Sequence, residues 1–393
     1  MIGLQSADVD DRPPSSQAAA DRPYWIALAQ VPGIGPVSFG RLLQRHGSAR
    51  AAWSLGERVL AELDRAPEDA ARSMHRLGER GAHAVAAEIE RSTRRAGGRV
   101  VTALDPGYPG TLGALRVRPP VLYVLGDLAC LEAPTVAVVG TRRASGYGRA
   151  SAADIADELA RAGATVVSGL ALGIDGEAHG AALAAGGRTA AVLPSPIDRV
   201  YPPRHRELAS RIVSGGGVLL SELAPGQQTG KPDFARRNRI IAGLATAVVV
   251  VEAPDRSGAL LTAAAAIELG RDLYAVPGPI DALNSRGCNR LIADQDASLI
   301  TSAVGLLQRV GVHRGQVPIG VESLSETEGL VLGRLIQRSG SIEELLGRTG
   351  LTTSAMASTL TLLEARGLAT SYGGATFHAT LAARRIGRTR PSS

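Results

Sequence analysis

From residue 99 to about residue 280, short apolar runs alternate with longer Ala-rich stretches whose apolar positions recur at helical spacing. The runs are RVVTAL, VLYVLG, TVAVVG, ATVVSGL, TAAVL, GVLLSE, TAVVVVEA and DLYAVPG. Runs that are apolar on both faces and separated by helices predict a mostly parallel sheet covered on both sides. A Rossmann-like, doubly wound α/β domain is expected over residues 99–310. In such sheets ligands bind beyond the carboxyl ends of the strands.

The flanks have other patterns. Residues 1–22 are polar and acidic with Pro, Ser and Ala, and are expected to be a disordered tail. Residues 23–98 predict a small helical domain. In it Gly33-Ile-Gly35, between two helical patterns, fits a helix-hairpin-helix turn of the SAM-like kind, where glycine lets backbone N–H groups approach a phosphate. A tight interhelical turn without a ligand has the same sequence. Residues 311–322 predict a linker. Residues 323–383 predict a winged-helix domain, with Ser341 and Glu344 spaced as a capping box and a wing around Gly373-Gly374. Its last helix, TTSAMASTLTLLEA, carries no arginine, so DNA contact and protein docking both stay open. Residues 384–393 predict a basic tail.

The chain has 393 residues, enough for two or three domains, and 45% of them are hydrophobic. Its net charge of +6 favours an anionic partner. Lys231 is the only lysine, so nearly all the positive charge is arginine, which forks onto phosphate in a bidentate way. Two cysteines, Cys130 and Cys288, exclude a disulfide framework and a CxxC-type zinc site. There is no signal-peptide pattern, and no apolar run approaches the length of a membrane span. These features predict a cytoplasmic protein with no membrane insertion.

Three strand–turn–helix junctions offer phosphate-compatible helix N-termini. The first, VVGTRRASGYG, carries Gly140, Thr141, Arg142, Arg143 and Ser145. It is not G-x-G-x-x-G, and no acidic residue ends the next strand, which disfavours a dinucleotide. The second, SGLALGIDGEAHG, carries Ser168 and Gly169, with Asp175 and His179 beyond; no ligand cluster accompanies that pair, so no metal is expected. The third carries Ser257 and Gly258. PGQQTGKP imitates a Walker A loop and fails: three residues separate Gly226 from Gly230, and Pro232 stands where Ser or Thr would bind magnesium. The densest charge is in KPDFARRNRII, with Lys231, Arg236, Arg237 and Arg239 beside Phe234 and Asn238. It belongs to a crossover at the sheet's carboxyl edge, with Arg142 and Arg239 expected in loops or at helix starts. Convergence of these groups predicts a groove for an anion, with Phe234 stacking a base. With 3% aromatic residues, phosphate contacts should dominate and recognition should tolerate any sequence.

The segments VAVVGTRRASGYG, SGLALGIDGEAH, YPPRH, FARRNRIIAGL, SGALLTAAAAIELGRDLYAVPG and GCNRLI, in that order, resemble the DNA-processing protein A (DprA, or Smf) family. The resemblance covers about residues 99–300, and the flanking domains fit it. It implies a single-stranded DNA-binding protein that dimerises through the Rossmann-like domain. Such a protein protects incoming DNA and helps load RecA recombinase during natural transformation. By resemblance, Arg142, Lys231, Phe234, Arg237 and Arg239 would contact the strand. Two segments depart from the family pattern: Pro194-Ser195-Pro196 replaces a glycine-rich turn, and ADQDA replaces a DGA-like end near residue 295.

No cofactor, metal or catalytic residue is expected. An enzyme or sensor for a nucleotide-derived small molecule is the alternative, since related Rossmann-like folds include nucleoside-monophosphate glycosidases. PDRSGALLTAAAAIE lacks their paired glycines and spaced glutamate. A duplex-DNA regulator acting through the winged helix would leave the arginines of the central domain unexplained.

Overall fold

A computed structural model describes residues 16–64, 66–312, 324–365, 368–372 and 376–379. The chain divides into two compact units, the first ending at His313.

The first unit begins with five helices: α1 (Ser16–Leu28), α2 (Pro36–His46), α3 (Ala49–Trp53), α4 (Ala70–Arg80) and α5 (Ala82–Arg95). Trp25, Leu28, Phe39, Leu42 and Met74 form their core. Gly33 takes φ +85° in the turn between α1 and α2, a conformation that favours glycine. The expected tail at residues 1–22 is corrected here, because α1 already starts at Ser16. Its polar residues have built-in partners. Arg22 donates to Asp105 at 2.9 Å, to Glu90 at 2.5 Å and to the Val100 carbonyl. Asp21 accepts from Trp25 Nε1 and from the backbone N–H groups of Ala49 and Arg50. Residues 1–15 lie outside the described residues.

All eight apolar runs form strands: β1 (Arg99–Thr102), β2 (Val121–Gly126), β3 (Thr135–Val139), β4 (Thr165–Ser168), β5 (Thr189–Leu193), β6 (Val218–Ser221), β7 (Ala247–Val250) and β8 (Asp272–Ala275). A short β9 (Ser298–Leu299) completes the sheet, in the order β1-β2-β6-β5-β4-β3-β7-β8-β9. From β6 to β9 every pairing is parallel, and β2 joins β6 and β1 antiparallel.

The remaining helices of this unit are α6 (Gly146–Arg161), α7 (Ile174–Ala184), α8 (Arg206–Ser214), α9 (Lys231–Leu244), α10 (Ala259–Glu268), α11 (Arg286–Ala293) and α12 (Ala303–Arg309). Strand alternation sends Val136 and Val138 toward α6, α7 and α12, while Ala137 and Val139 face α9, α10 and α11. Both family departures leave the sheet intact. Residues 194–197 are buried behind β5, and Gln295 adopts φ +61°, a left-handed conformation that costs a non-glycine residue about 1 kcal/mol. Among the described residues no helix is long and apolar enough to cross a membrane.

The second unit contains α13 (Glu326–Gln337), β10 (Gly340–Ser341), α14 (Ile342–Thr349), α15 (Thr353–Ala365), β11 (Ala369–Tyr372) and β12 (Thr376–Ala379). Its sheet runs β10-β12-β11, antiparallel throughout. Ser341 and Glu344 form the expected capping box at the start of α14. The core is Val331, Leu335, Leu345, Met356, Leu360 and Leu363. The wing tip at Gly373-Gly374, the linker from residue 313 and the basic tail lie outside the described residues.

Candidate nucleic-acid interface

β3 and β7 are neighbours, but the chain leaves β3 toward β4 on one side and β7 toward β8 on the other. Where successive connections part this way, the strand ends leave a crevice. Here the crevice is a cavity of about 400 Å³. Arg142 and Arg143 line it from the β3 loop, Lys231 and Phe234 from the start of α9, and Arg256, Ser257 and Gly258 from the β7 loop.

Two of the three expected phosphate cups are already filled by the protein's own carboxylates. At the start of α6, Ser145 caps the helix by accepting from Gly148 N–H. The Ser145 N–H and hydroxyl donate to the Glu252 carboxylate, at 2.9 and 2.5 Å. A Cβ on Gly148 would meet that carboxylate at 2.2 Å, so glycine is required. At the turn before α7, buried Asp175 accepts from the N–H groups of Gly169 and Ala171. Ser168 is fully buried and donates to the Val138 carbonyl. Ser145, Ser168 and Gly169 are therefore corrected from anion ligands to structural residues: internal partners use their polar groups. Gly140 has a packing role, since a Cβ there would lie 2.5 Å from Ile174. Thr141 is nearly buried, and its hydroxyl accepts from Arg143 N–H. The N-terminus of α10 is the one that opens on the cavity, with Gly258 exposed beside Ser257.

The helix α9 sorts its charges by position. Arg237 is 6% exposed, and Nη1 donates to the carbonyls of Gly169 and Val192. Burial lowers its pKa to about 10, opposed by nearby Asp175. Burial likewise raises the Asp175 carboxyl above its ordinary value, against Arg237 and the backbone N–H groups. Asn238 accepts from Arg237 Nε and donates to the Gly258 carbonyl, tying α9 to the start of α10. Arg239 sits in mid-helix and pairs with Glu222 at 2.5 Å, away from the residues that line the cavity. Arg236 is exposed and pairs with Asp233 at 3.4 Å. The expected loop or helix-start position holds for Arg142 and fails for Arg239. Arg239 is corrected from a cavity ligand to a paired ion, while Arg237 lines the crevice with its Nη1 already donated to two backbone carbonyls.

What remains on the rim is cationic. Among the described residues, no carboxylate lies within ion-pair reach of Arg142, Arg143, Lys231 or Arg256. The Arg142 guanidinium lies 5.1 Å from the Phe234 ring centroid, and Tyr201 meets Phe234 edge-on at 5.4 Å. Arg256 and Tyr201 were not anticipated from sequence, although Arg256 directly precedes Ser257 and Tyr201 opens YPPRH. Beneath the site, His179 is buried, and its pKa is pushed down to about 3 by burial and by the charges of His205 and Arg237. The imidazole is thus a neutral core group, hydrogen-bonded to Thr189. Among the described residues no cluster of three or more His, Cys, Asp or Glu is arranged to hold a metal.

The chain matches the model of DNA recombination-mediator protein A over residues 99–311, and that of the DprA-like N-terminal HHH domain over residues 19–90. A Mycobacterium tuberculosis (strain H37Rv) relative carrying a DprA name is 40% identical over 385 residues, covering 90% of each chain. Protein Smf of Synechocystis is 38% identical over 298 residues, covering 75% of this chain and 74% of that one. The X-ray structure of DNA processing protein A from Streptococcus pneumoniae superposes with a TM-score of 0.62 at 33% identity, covering 73% of this chain and 97% of that one. The Helicobacter pylori protein, described for its single-stranded DNA binding mode, gives 0.51 at 29% identity, covering 56% and 99%. The chain belongs to the DNA recombination-mediator protein A, or DprA, family.

Proposed function

We propose that this chain binds single-stranded DNA in the crevice between the β3 and β7 loops. It protects incoming strands in the cytoplasm and helps load RecA recombinase onto them in natural transformation, as a homodimer formed through the Rossmann-like domain. The observation that carries this is the rim itself. Four cations, with no carboxylate partner among the described residues, line the same cavity as an aromatic ring, and one of them, Arg142, lies against that ring. Arginine forks suit phosphate, and a ring at the mouth suits a base of any identity. The single-strand binding mode described for the Helicobacter pylori relative supports it.

The chain performs no catalysis of its own. In the Walker-like loop the Gly230 N–H, which would face a phosphate, donates to Asp233 at 2.7 Å. Titrating labelled oligothymidylate and a matched duplex across a salt series tests the proposal. The single strand should bind more tightly, with log K falling linearly in log salt by about 0.7 per phosphate contact. A flat salt dependence, a preference for duplex, or tight binding of a free nucleotide without strand binding overturns it. RecA loading is tested by the lag in filament formation on strands coated with single-strand-binding protein; the chain should shorten it.

A further inference from the structure

After β8 the chain runs through Pro277 to Ser285 along the carboxyl edge, beside the crevice. At its tip Ile280 is 91% exposed and Leu283 is 65% exposed. A single exposed apolar residue needs no explanation. This pair differs because the loop that carries it is anchored at several points. Asn289 bonds both the N–H and the carbonyl of Gly278, at 3.1 and 2.9 Å. Tyr147 donates to the Pro277 carbonyl. Asn284 donates to the Arg143 carbonyl at 2.9 Å and accepts from Ala253 N–H. The loop is thus fastened to Arg143, which lines the crevice, and to the residue preceding Pro254, which also lines it.

We infer that the Ile280–Leu283 tip is a second strand contact, an apolar step on which bases rest as the single strand leaves the crevice. This rests on the single-strand reading above and extends it beyond the cationic rim. The surroundings fit a polyanion with apolar faces. Arg143 and Arg286 are exposed nearby without a carboxylate partner among the described residues, and Arg290 pairs with Asp255 at 3.5 Å. Asp281 is exposed between the two apolar residues, which disfavours a phosphate at the tip and leaves the bases as the contacting part. Bases present apolar faces whatever their identity, so a contact of this kind adds affinity without sequence preference.

The test compares oligothymidylates of about 5 and about 20 nucleotides, bracketing the crevice and the crevice plus its exit. The double variant Ile280→Ser, Leu283→Ser should melt like wild type, both side chains being exposed. Its dissociation constant for the long strand should rise about tenfold, with the short strand unaffected. The salt slope should not change, because no phosphate contact is lost. Unchanged affinity for the long strand, or equal loss at both lengths, overturns the inference. So does unchanged strand affinity accompanied by dissociation of a homodimer or loss of RecA recruitment, since the tip is then a protein interface. If wild type binds neither strand, the single-strand reading itself has failed.

Discussion

The first turn of α9 and its middle, one helical turn apart, have opposite surroundings. Lys231 and Phe234 sit at the crevice mouth, with no ionic partner for the amine among the described residues. Arg237 and Arg239 carry the same type of charge, yet one is buried against two carbonyls and the other is held by Glu222. The difference teaches that charge density in a sequence segment does not measure charge offered to a ligand. A helix that crosses from the sheet's edge onto its face takes its first turn to solvent and later turns into the core. Arginines on those later turns must be satisfied internally.

The largest expected effect tests the buried end of this contrast. Arg237→Met should lower the unfolding free energy by about 3–5 kcal/mol, because the carbonyls of Gly169 and Val192 and the Asp175 carboxyl lose their cation. Urea denaturation measures it. If the variant unfolds like wild type but no longer binds DNA, Arg237 is a ligand contact and the contrast breaks.

Arg239→Ala should cost about 2–3 kcal/mol of stability by stranding Glu222, and should alter binding less than stability. Glu222 also gives the pair a pH signature. Burial holds its carboxyl above the ordinary value, against the pull of Arg239. A carboxyl raised on folding favours the folded state at low pH and loses that contribution as pH rises through its folded value. Glu222→Gln should therefore flatten the decline in stability above the usual carboxylate range. Asp175, shifted in the same direction, leaves a residual slope. Unfolding free energies across pH measure both.

Phe234→Ala should weaken single-strand binding by about 1–3 kcal/mol while leaving the salt slope unchanged. A loss of melting temperature in place of affinity assigns the ring to packing against Tyr201 and sharpens the boundary of the exposed turn. The smallest effects belong to the rim. Arg142→Ala, Lys231→Ala and Arg256→Ala should each change stability by less than about 0.5 kcal/mol and make the salt slope shallower by about 0.7. If Arg142→Ala binds like wild type, the exposed end is only solvated charge.

The sheet was legible because eight apolar runs left no alternative to burial on both faces, and each became a strand. Arg142, Arg143, Lys231 and Phe234 were legible because loops and helix starts at the carboxyl edge face outward. The fates of Arg237 and Arg239 were not, since they depend on which turn of α9 meets β5 and β6. The acid that neutralises Arg239, Glu222, lies 17 positions away at the end of GVLLSE. The filled cups were missed for a related reason. Glu252, two residues past the end of β7, reaches across to Ser145, 107 residues earlier, a pairing that exists only once β3 and β7 are neighbours.

Lys231 is exposed on the crevice rim and is the only lysine in the 393-residue sequence. Besides an α-amino group, this sequence therefore offers acylating reagents a single primary amine, and it stands at the proposed binding mouth. An activated ester at mildly alkaline pH would tag that position without mutagenesis, because the guanidinium groups elsewhere stay protonated and unreactive. Whatever occupies the crevice should shield the tag site. The labelled fraction, read on the proteolytic peptide that carries Lys231 so that acylation of the more readily deprotonated α-amine is set aside, becomes a count of empty crevices.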